Sequence, residues 1–239
     1  MKMNLDPRPY AIDTRLSGIG KIIAVSGFKG GVGKSSVACL LSLASSDSGM
    51  KTGLLDLDFS GASCHLILGA DLGHGAAFPE EVEGLKPPEI HGIKLMSLAF
   101  FTQNRAVHLR GRATTDTVTE LLSVTNWGNL DILFLDMPPG ISDVALDVMR
   151  LIPRIEIIGV LTPSVLSRDL ALKALRFSEQ SGVKIIGIVE NLFTGTNKNS
   201  GGFPCLATLP YDAGFESALG NIDRLRQTDV YNGLRKVVI

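Results

Sequence analysis

Short apolar runs alternate along the chain with longer segments whose apolar residues recur at helical spacing. The runs are continuously apolar, as expected for strands of a parallel sheet that is covered on both faces. Six strands are predicted, at residues 21–26, 52–57, 93–98, 131–135, 155–161 and 183–189. Helices are predicted at residues 35–46, 115–124, 142–151 and 166–180. This alternation predicts one α/β domain over residues 1–239, with a doubly wound, mostly parallel sheet and helices on both faces.

Two segments fall outside this alternation. Residues 1–20 precede the first predicted strand and are interpreted as an N-terminal extension. Residues 69–90 are rich in Gly, Pro and Glu and are interpreted as a surface excursion. Its acidic cluster, Glu80, Glu81 and Glu83, is more typical of a solvated loop than of a metal site.

Charge and cysteine content exclude several classes of protein. Twenty-three basic residues balance 24 acidic ones, so the chain has no long-range attraction to nucleic acid or anionic lipid. The first ten residues contain no apolar run, and no stretch reaches the ~18 apolar residues of a membrane helix, so we expect neither a signal peptide nor membrane association. Three cysteines without a C-x-x-C pair predict reduced thiols in a cytoplasmic protein.

Glycine is the one unusual figure in the composition, at 26 residues, and its densest cluster follows the first strand directly. There the chain reads Gly-Phe-Lys-Gly-Gly-Val-Gly-Lys-Ser-Ser over residues 27–36, and a helix pattern follows. Glycines let backbone N–H groups approach phosphate oxygens, and a helix N-terminus adds its dipole. The order of strand, glycine loop and helix favours phosphate binding over an empty turn. The predicted nucleotide-binding residues here are Gly30, Gly31, Val32, Gly33, Lys34, Ser35 and Ser36.

Two side chains of this loop have separate predicted roles. Lys34 provides a point charge for the β- and γ-phosphates, and the Ser35 hydroxyl is a candidate ligand of Mg²⁺. The strict pattern G-x-x-x-x-G-K-[ST] has glycine where this chain has Phe28.

The string Lys-Gly-Gly-Val-Gly-Lys-Ser over residues 29–35 resembles the deviant P-loop of the Mrp/MinD ATPases. The resemblance implies a P-loop NTPase fold. It also implies that Lys29, which matches the second lysine of that family, reaches across a homodimer interface to the partner's nucleotide. The family's first glycine is not strict, which accommodates Phe28.

The resemblance extends over nearly the whole chain. The stretch from Trp127 to Gly140 is similar to the Walker B strand and switch II of the Mrp branch, the branch of metallocentre-assembly ATPases. Further matches are the Asp-x-Asp motif at residues 54–61, the third strand at 91–97, Thr162-Pro163, and Val189-Glu190-Asn191.

Three carboxylates are candidates for metal and water chemistry. Asp136 closes an apolar strand, where a carboxylate can hold Mg²⁺ through water. The resemblance implies that Asp58 orients or deprotonates the attacking water. Asp56, expected on the same strand face as Asp58, would support the Mg²⁺ shell. The open alternatives are a strand-end surface residue for Asp136 and a pair of turn carboxylates for the other two.

The resemblance also implies which residues contact the base. The side chain matching Asn191 reads the adenine edge, and a loop over residues 209–212, with Pro210 and Asp212, covers the base. The chain has no guanine-reading Asn-Lys-x-Asp, and the nearest string, at residues 197–200, lacks the Asp. We therefore expect ATP rather than GTP, and a plain turn residue stays the alternative for Asn191.

The chain departs from the family at two further places. Switch II has Ile141 and Ser142 where the family has Thr and Gly, which puts the detail of its motion in doubt. The family's C-x-x-C after the Val-Glu-Asn strand is missing, and only Cys205 follows, so two subunits would bring two thiols instead of four. A bridged iron–sulfur cluster of the family's kind is therefore not expected. The adjacent pair Cys64-His65 is more typical of a structural role than of a soft-metal site.

The C-terminal stretch, residues 221–239, lacks the separate basic and apolar faces of a membrane-targeting helix and predicts a helix packed on the sheet. The leading hypothesis is therefore a homodimeric Mg-ATPase that uses ATP and Mg²⁺ and assists iron–sulfur or nickel metallocentre maturation, for example of hydrogenases. Its partner would be a metal carrier or an apo-metalloprotein. The alternatives are a Par/MinD-like positioning ATPase and a nucleotide-binding regulator with little hydrolysis.

Overall fold

The computed structural model describes residues 6–72, 78–102, 111–140, 142–195 and 200–237. Ile141, the string at 197–199 and the last two residues of the predicted C-terminal helix lie outside the described residues, as does part of the predicted excursion. The strands are β1 (Ile19–Ser26), β2 (Thr52–Asp56), β3 (Glu80–Glu81), β4 (Leu85–Lys86), β5 (Glu89–Ile90), β6 (Ile93–Ser97), β7 (Leu130–Asp136), β8 (Glu156–Leu161), β9 (Lys184–Phe193) and β10 (Cys205–Pro210).

The helices are α1 (Arg8–Leu16), α2 (Lys34–Asp47), α3 (Cys64–Ile67), α4 (Ala99–Thr102), α5 (Arg112–Val124), α6 (Asp143–Leu151), α7 (Val165–Gln180), α8 (Phe215–Ala218), α9 (Ile222–Leu225) and α10 (Asp229–Leu234). In the described parts of the chain, no helix is both long enough and apolar enough to cross a bilayer.

Eight strands form one sheet in the order β10-β9-β8-β1-β7-β2-β6-β5. All neighbouring strands pair in parallel except β5, which pairs antiparallel with β6. The predicted doubly wound, mostly parallel α/β fold is confirmed. Because β1 lies in the middle of the sheet, the glycine loop that follows it opens between the carboxyl ends of β8 and β7.

Two apolar cores cover the two faces of the sheet, and alternate residues of β1 divide between them. Ile22 and Ala24 pack against α1, α5, α6 and α7, whereas Ile23 and Val25 pack against α2 and the C-terminal helices. Strands that are buried on both faces lack polar alternation, which explains their continuous apolar runs.

The structure has elements that the apolar pattern did not identify. Within the predicted extension, α1 buries Ile12 and Leu16 and packs on α5. Within the excursion, β3 and β4 form a small separate sheet that contains Glu80 and Glu81, both exposed. The C-terminal segment forms two short helices, α9 and α10, instead of the one predicted. The segment 209–212 was expected to be a loop, but Leu209 and Pro210 end the edge strand β10.

Candidate functional site

The glycine loop takes the backbone shape that its composition predicts. Gly31 and Gly33 have φ angles of 77° and 86°, in the region that L side chains rarely adopt. Gly33 is the N-cap of α2, and its carbonyl accepts the hydrogen bond from the Val37 N–H at 2.9 Å. The helix therefore begins at Lys34, one residue earlier than predicted, with its N-terminus directed at the loop.

The two lysines of the loop lie in different environments. Lys34 is buried on the first turn of α2, close enough to Asp136 for its charge to lower the pKa of that carboxyl. Lys29 is exposed, together with Gly30 and Gly31 beside it. A buried lysine suits a phosphate held by its own subunit, whereas an exposed one is free to contact a second molecule.

Sheet register brings two of the three predicted carboxylates together. Asp56 and Asp136 end the neighbouring strands β2 and β7 and are paired in register, and both are fully buried. Asp58 does not share a strand face with Asp56 as predicted, because β2 ends at Asp56 and Asp58 lies in the following turn. Its backbone N–H donates to Asp56 Oδ1 at 3.1 Å, so the turn is tied to the strand end.

Burial raises the pKa of both strand-end carboxyls. The pKa of Asp56 rises to about 7, first through burial and then through the charge of Asp136. The pKa of Asp136 rises to about 6 through burial, although hydrogen bonds from Ser35 and Cys64 and the charge of Lys34 oppose the rise. Two close carboxylates that lack full compensation form a site that favours a cation.

The environment of one carboxylate oxygen indicates whether these residues fit Mg²⁺. Asp136 Oδ1 is buried and has no hydrogen-bond partner among the residues that the structure describes. An orphaned carboxylate oxygen beside the Ser35 hydroxyl fits the oxygen ligands that Mg²⁺ prefers. Ser35, Asp56 and Asp136 therefore remain the candidate metal residues.

Asn191 holds the glycine loop from a strand that lies two positions from β1 in the same sheet. It lies on β9, and its Nδ2 donates to the Val32 carbonyl oxygen at 2.9 Å. A Cβ at Gly33 would lie 2.3 Å from that same nitrogen, so this contact requires glycine. This contact uses one of the two Nδ2 hydrogens, so Asn191 keeps its other hydrogen and its Oδ1 acceptor for a base.

A cavity of about 210 Å³ opens beside this contact. Its lining combines the glycine loop with the segment after β10, and includes Gly31, Gly33, Asn191, Pro210, Tyr211 and Asp212. Asp212 Oδ1 accepts from the Gly214 N–H at 2.8 Å, which shapes the turn around the cavity. The structure thus places the glycine loop next to Asn191, Pro210 and Asp212, the residues expected to contact the base. Pro210, however, belongs to the end of β10 and not to a loop.

Two side chains, Glu190 and Phe28, support the site through contacts that were not predicted from the sequence. Glu190, next to Asn191 on β9, forms a buried ion pair with Arg168 of α7 at 2.8 Å. Phe28, the departure from the strict pattern, packs against the core beside α6, and the Gly140 N–H donates to the Gly27 carbonyl at 3.2 Å. These contacts tie β9 to α7, and the loop to the segment before α6. The hydrophobicity of Phe28 was the sequence signal for its packing against the core.

Comparisons with known proteins agree with this geometry. The family described as "ParA: NUBPL iron-transfer P-loop NTPase" matches residues 18–203, which is most of the chain. The chain belongs to this family. The match covers the glycine loop, both buried carboxylates and Asn191, whereas Pro210, Tyr211 and Asp212 of the candidate site lie beyond it.

Two curated relatives have names that concern iron–sulfur clusters. The iron–sulfur cluster carrier protein of Mycobacterium tuberculosis H37Rv is 38% identical over 174 residues, 72% of this chain and 44% of that protein. The iron–sulfur cluster transfer protein NUBPL of Dictyostelium discoideum is 34% identical over 187 residues, 77% of this chain and 57% of that protein. The chain therefore spans about half the length of the curated relatives that it matches.

Two solved structures share the fold. A nucleotide-binding protein from Archaeoglobus fulgidus in complex with ADP is 29% identical, with a TM-score of 0.73 over 92% of this chain and 93% of that one. The septum site-determining protein MinD from Pyrococcus horikoshii, complexed with Mg-ADP, is 18% identical, with a TM-score of 0.66 over 91% and 94%. The resemblance to the Mrp/MinD ATPases and the P-loop NTPase fold are thereby confirmed.

Proposed function

We propose that this chain is a Mg²⁺-dependent ATPase that closes into an ATP-sandwich homodimer and assists iron–sulfur protein maturation together with a partner protein. The observation that carries the proposal is that the two lysines of one loop lie in different environments. Lys34 lies buried beside Asp136, and Lys29 lies exposed at the mouth of the same loop. One lysine serves the chain's own nucleotide, and the other is available to a nucleotide on a second subunit.

Hydrolysis of ATP requires positioned charge more than covalent chemistry. The loop N–H groups and Lys34 would hold the β- and γ-phosphates, and Lys29 of a second subunit would add charge where it develops in the transition state. Mg²⁺, held by Ser35 and through water by Asp136 and Asp56, would neutralise phosphate charge. Asp58, at the mouth of the site, would orient the attacking water.

The number of exposed cysteines indicates what kind of partner the chain would need. Cys39 and Cys64 are buried and only Cys205 is exposed, so the surface of one chain offers a single thiol. A four-thiol cluster site therefore needs ligands from another protein, which we propose is an iron–sulfur carrier or an apo-protein. The names of the relatives favour iron–sulfur over nickel cargo. A cytoplasmic location and the lack of nucleic-acid and membrane partners stay predictions.

The decisive experiment measures assembly with a non-hydrolysable ATP analogue. Sedimentation velocity should show the wild-type chain shifting from monomer to dimer when Mg²⁺ and the analogue are added. Lys29→Ala should stay monomeric yet bind the analogue, because Lys29 acts on the partner's nucleotide. Lys51→Ala is the matched control, since Lys51 is an exposed lysine that precedes β2, at the amino ends of the strands and away from the loop at their carboxyl ends. Dimerisation of Lys29→Ala at wild-type strength would refute the proposal.

A nucleotide-binding regulator with little hydrolysis is the second candidate, and Phe28 is the observation that favours it. Its packing beside α6, together with the bond between Gly140 and Gly27, fastens the loop to switch II. A fastened switch opposes the movement that hydrolysis requires. Single-turnover hydrolysis of Mg-ATP decides between the two, because a regulator would release no phosphate beyond the buffer rate.

A further inference from the structure

A buried thiol lies within the cluster of carboxylates. Cys64, the first residue of α3, directs its Sγ to Asp136 Oδ2 at 3.4 Å. Ligand atoms of Asp56, Cys64 and Asp136 all lie within 4.8 Å of one another, and all three residues are buried. Cys64 adds a ligand that the proposed Mg²⁺ shell of Ser35, Asp56 and Asp136 does not use, because Mg²⁺ takes hard oxygen ligands in an octahedron.

The spacing of these atoms suits a smaller, softer coordination sphere. In a tetrahedral site with a metal–sulfur bond of about 2.3 Å and a metal–oxygen bond of about 2.1 Å, sulfur and oxygen lie about 3.6 Å apart. The observed 3.4 Å between Cys64 Sγ and Asp136 Oδ2 is close to this value. These two atoms therefore need little rearrangement to bind one ion, and the Asp56 oxygen lies within 4.8 Å of both.

Hydrogen bonds from neighbouring groups also fix the orientation of the Asp56 carboxylate. Asp56 Oδ2 accepts hydrogen bonds from the Ser97 hydroxyl and from the Cys64 N–H, both at 3.3 Å. Such outer contacts orient ligands in metal sites. In addition, the second oxygen of the same carboxylate, Asp136 Oδ1, is buried without a hydrogen-bond partner in the described ranges, so the hydrogen-bonding capacity of this ligand is not satisfied.

We propose that Asp56, Cys64 and Asp136 form a binding site for a soft or borderline divalent cation of the Zn²⁺, Fe²⁺ and Co²⁺ class. Two carboxylates and one thiolate supply mixed oxygen and sulfur ligands, which select these ions over Mg²⁺. Coordination releases the thiol proton to solvent. The site shares Asp56 and Asp136 with the proposed Mg²⁺ shell, but it needs no nucleotide and no second subunit, so it is tested in the nucleotide-free chain, where its failure leaves the ATPase proposal untouched.

Cobalt absorption provides the test, because a thiolate bound to Co²⁺ gives a charge-transfer band that oxygen ligands do not. The full chain, free of nucleotide and kept reduced with a phosphine, is titrated with Co²⁺ in the presence of excess Mg²⁺. We expect one Co²⁺ per chain with the thiolate band. Cys64→Ser should lose the band, whereas Cys39→Ser and Cys205→Ser should keep it. Loss of the band in Cys205→Ser, its survival in Cys64→Ser, or its absence from the wild type would overturn the proposal.

A second measurement covers the case in which Cys64→Ser does not fold, as judged by circular dichroism. X-ray absorption of the Zn²⁺-loaded Cys205→Ser protein reports the ligands directly, with the exposed thiol removed. We expect one sulfur together with oxygen neighbours around the ion. A coordination sphere of oxygen and nitrogen alone, or one with two sulfurs, would show that these three residues are not the ligands.

Discussion

At the scale of single residues, the carboxylate of Asp58, which we propose acts on water, is held in place by its own loop. Its Oδ1 accepts hydrogen bonds from the Gly61 N–H at 3.1 Å and from the Ser60 hydroxyl at 3.2 Å, so its own loop fixes the carboxylate. Half-buried beside two buried carboxylates, it is the member of the acidic group that water reaches most easily.

We predict that Asp58→Asn slows hydrolysis about 100-fold or more while ATP affinity changes little, because the amide keeps the loop contacts but cannot take a proton. The slow variant should then accumulate as the ATP-bound dimer. Phosphate release in a single turnover and sedimentation of the same sample measure both effects. Asp13→Asn, an exposed change on α1, is the control. Hydrolysis at the wild-type rate in Asp58→Asn would remove Asp58 from the mechanism.

At the scale of secondary-structure elements, the buried pair Arg168–Glu190 joins α7 to β9. Both side chains are about 3–4% exposed. Removing one partner of such a pair leaves a buried charge, at a cost of about 3–5 kcal/mol. We therefore predict that Glu190→Gln lowers the free energy of unfolding by about that amount and also weakens ATP binding, because Asn191 is the next residue of the strand.

Urea unfolding and ATP titration test this prediction. The matched control lies on the same helix, where Asp169 and Lys173 form an exposed pair at 2.7 Å. Asp169→Asn should change stability by about 0.5 kcal/mol or less. Equal effects of the two substitutions would mean that burial of the Arg168–Glu190 pair has no energetic consequence.

A second link between elements fastens the C-terminal helices to α2 and makes stability depend on pH. Asp47 accepts from Arg226 at 2.7 and 3.0 Å and from the Tyr231 hydroxyl, and the hydrogen bonds from Arg226 hold its pKa below the usual range. A carboxyl with a lowered folded pKa stabilises the protein above its unfolded pKa of about 4, and this contribution disappears as the pH falls through the folded value.

We predict that Asp47→Asn costs about 1 kcal/mol at neutral pH, a value reduced by the partial exposure of both partners. The difference from wild type should shrink below pH ~4, as protonation of Asp47 removes the same interaction from the wild type. Denaturant unfolding at several pH values measures this. Asp223→Asn, which removes an exposed partner of Arg226 at 3.6 Å, should show a smaller difference. A difference that does not change with pH would contradict the assignment.

The elements also show what the sequence could predict. The six predicted strands lie within a few residues of the observed ones, because strands buried on both faces must be continuously apolar. The edge strand β10 was missed because its exposed positions and terminal proline weaken that pattern. Helix α1 was missed because it buries only Ile12 and Leu16. The contact between Asn191 and Val32 joins residues 159 positions apart, and no local pattern encodes such a pairing.

At the scale of the whole molecule, the chain combines a nucleotide site of the iron-transfer family with few accessible thiols. Cys205, on the exposed edge strand β10, has its Sγ 3.6 Å from the Ala207 carbonyl oxygen and is the one cysteine that solvent reaches. A dimer would therefore present two such thiols, whereas clusters held by cysteine alone take four. With too few thiols to hold such a cluster alone, the chain would drive the transfer of a cluster that another protein holds.

We accordingly predict that anaerobic reconstitution of the chain alone with iron and sulfide forms no stable cluster: acid-labile sulfide stays substoichiometric, even if the site of Asp56, Cys64 and Asp136 retains one Fe²⁺ per chain. Cys205→Ser should hold as much iron as wild type, because a lone thiol on each chain cannot complete the ligand set. Iron and sulfide analysis after desalting, with and without ATP, measures this. A stable cluster that forms with ATP and disappears in Cys205→Ser would show instead that the dimer bridges a cluster through two thiols and other ligands. The ATPase would then be a carrier in its own right, and the proposed partner would receive the cluster without having to supply ligands for its transport.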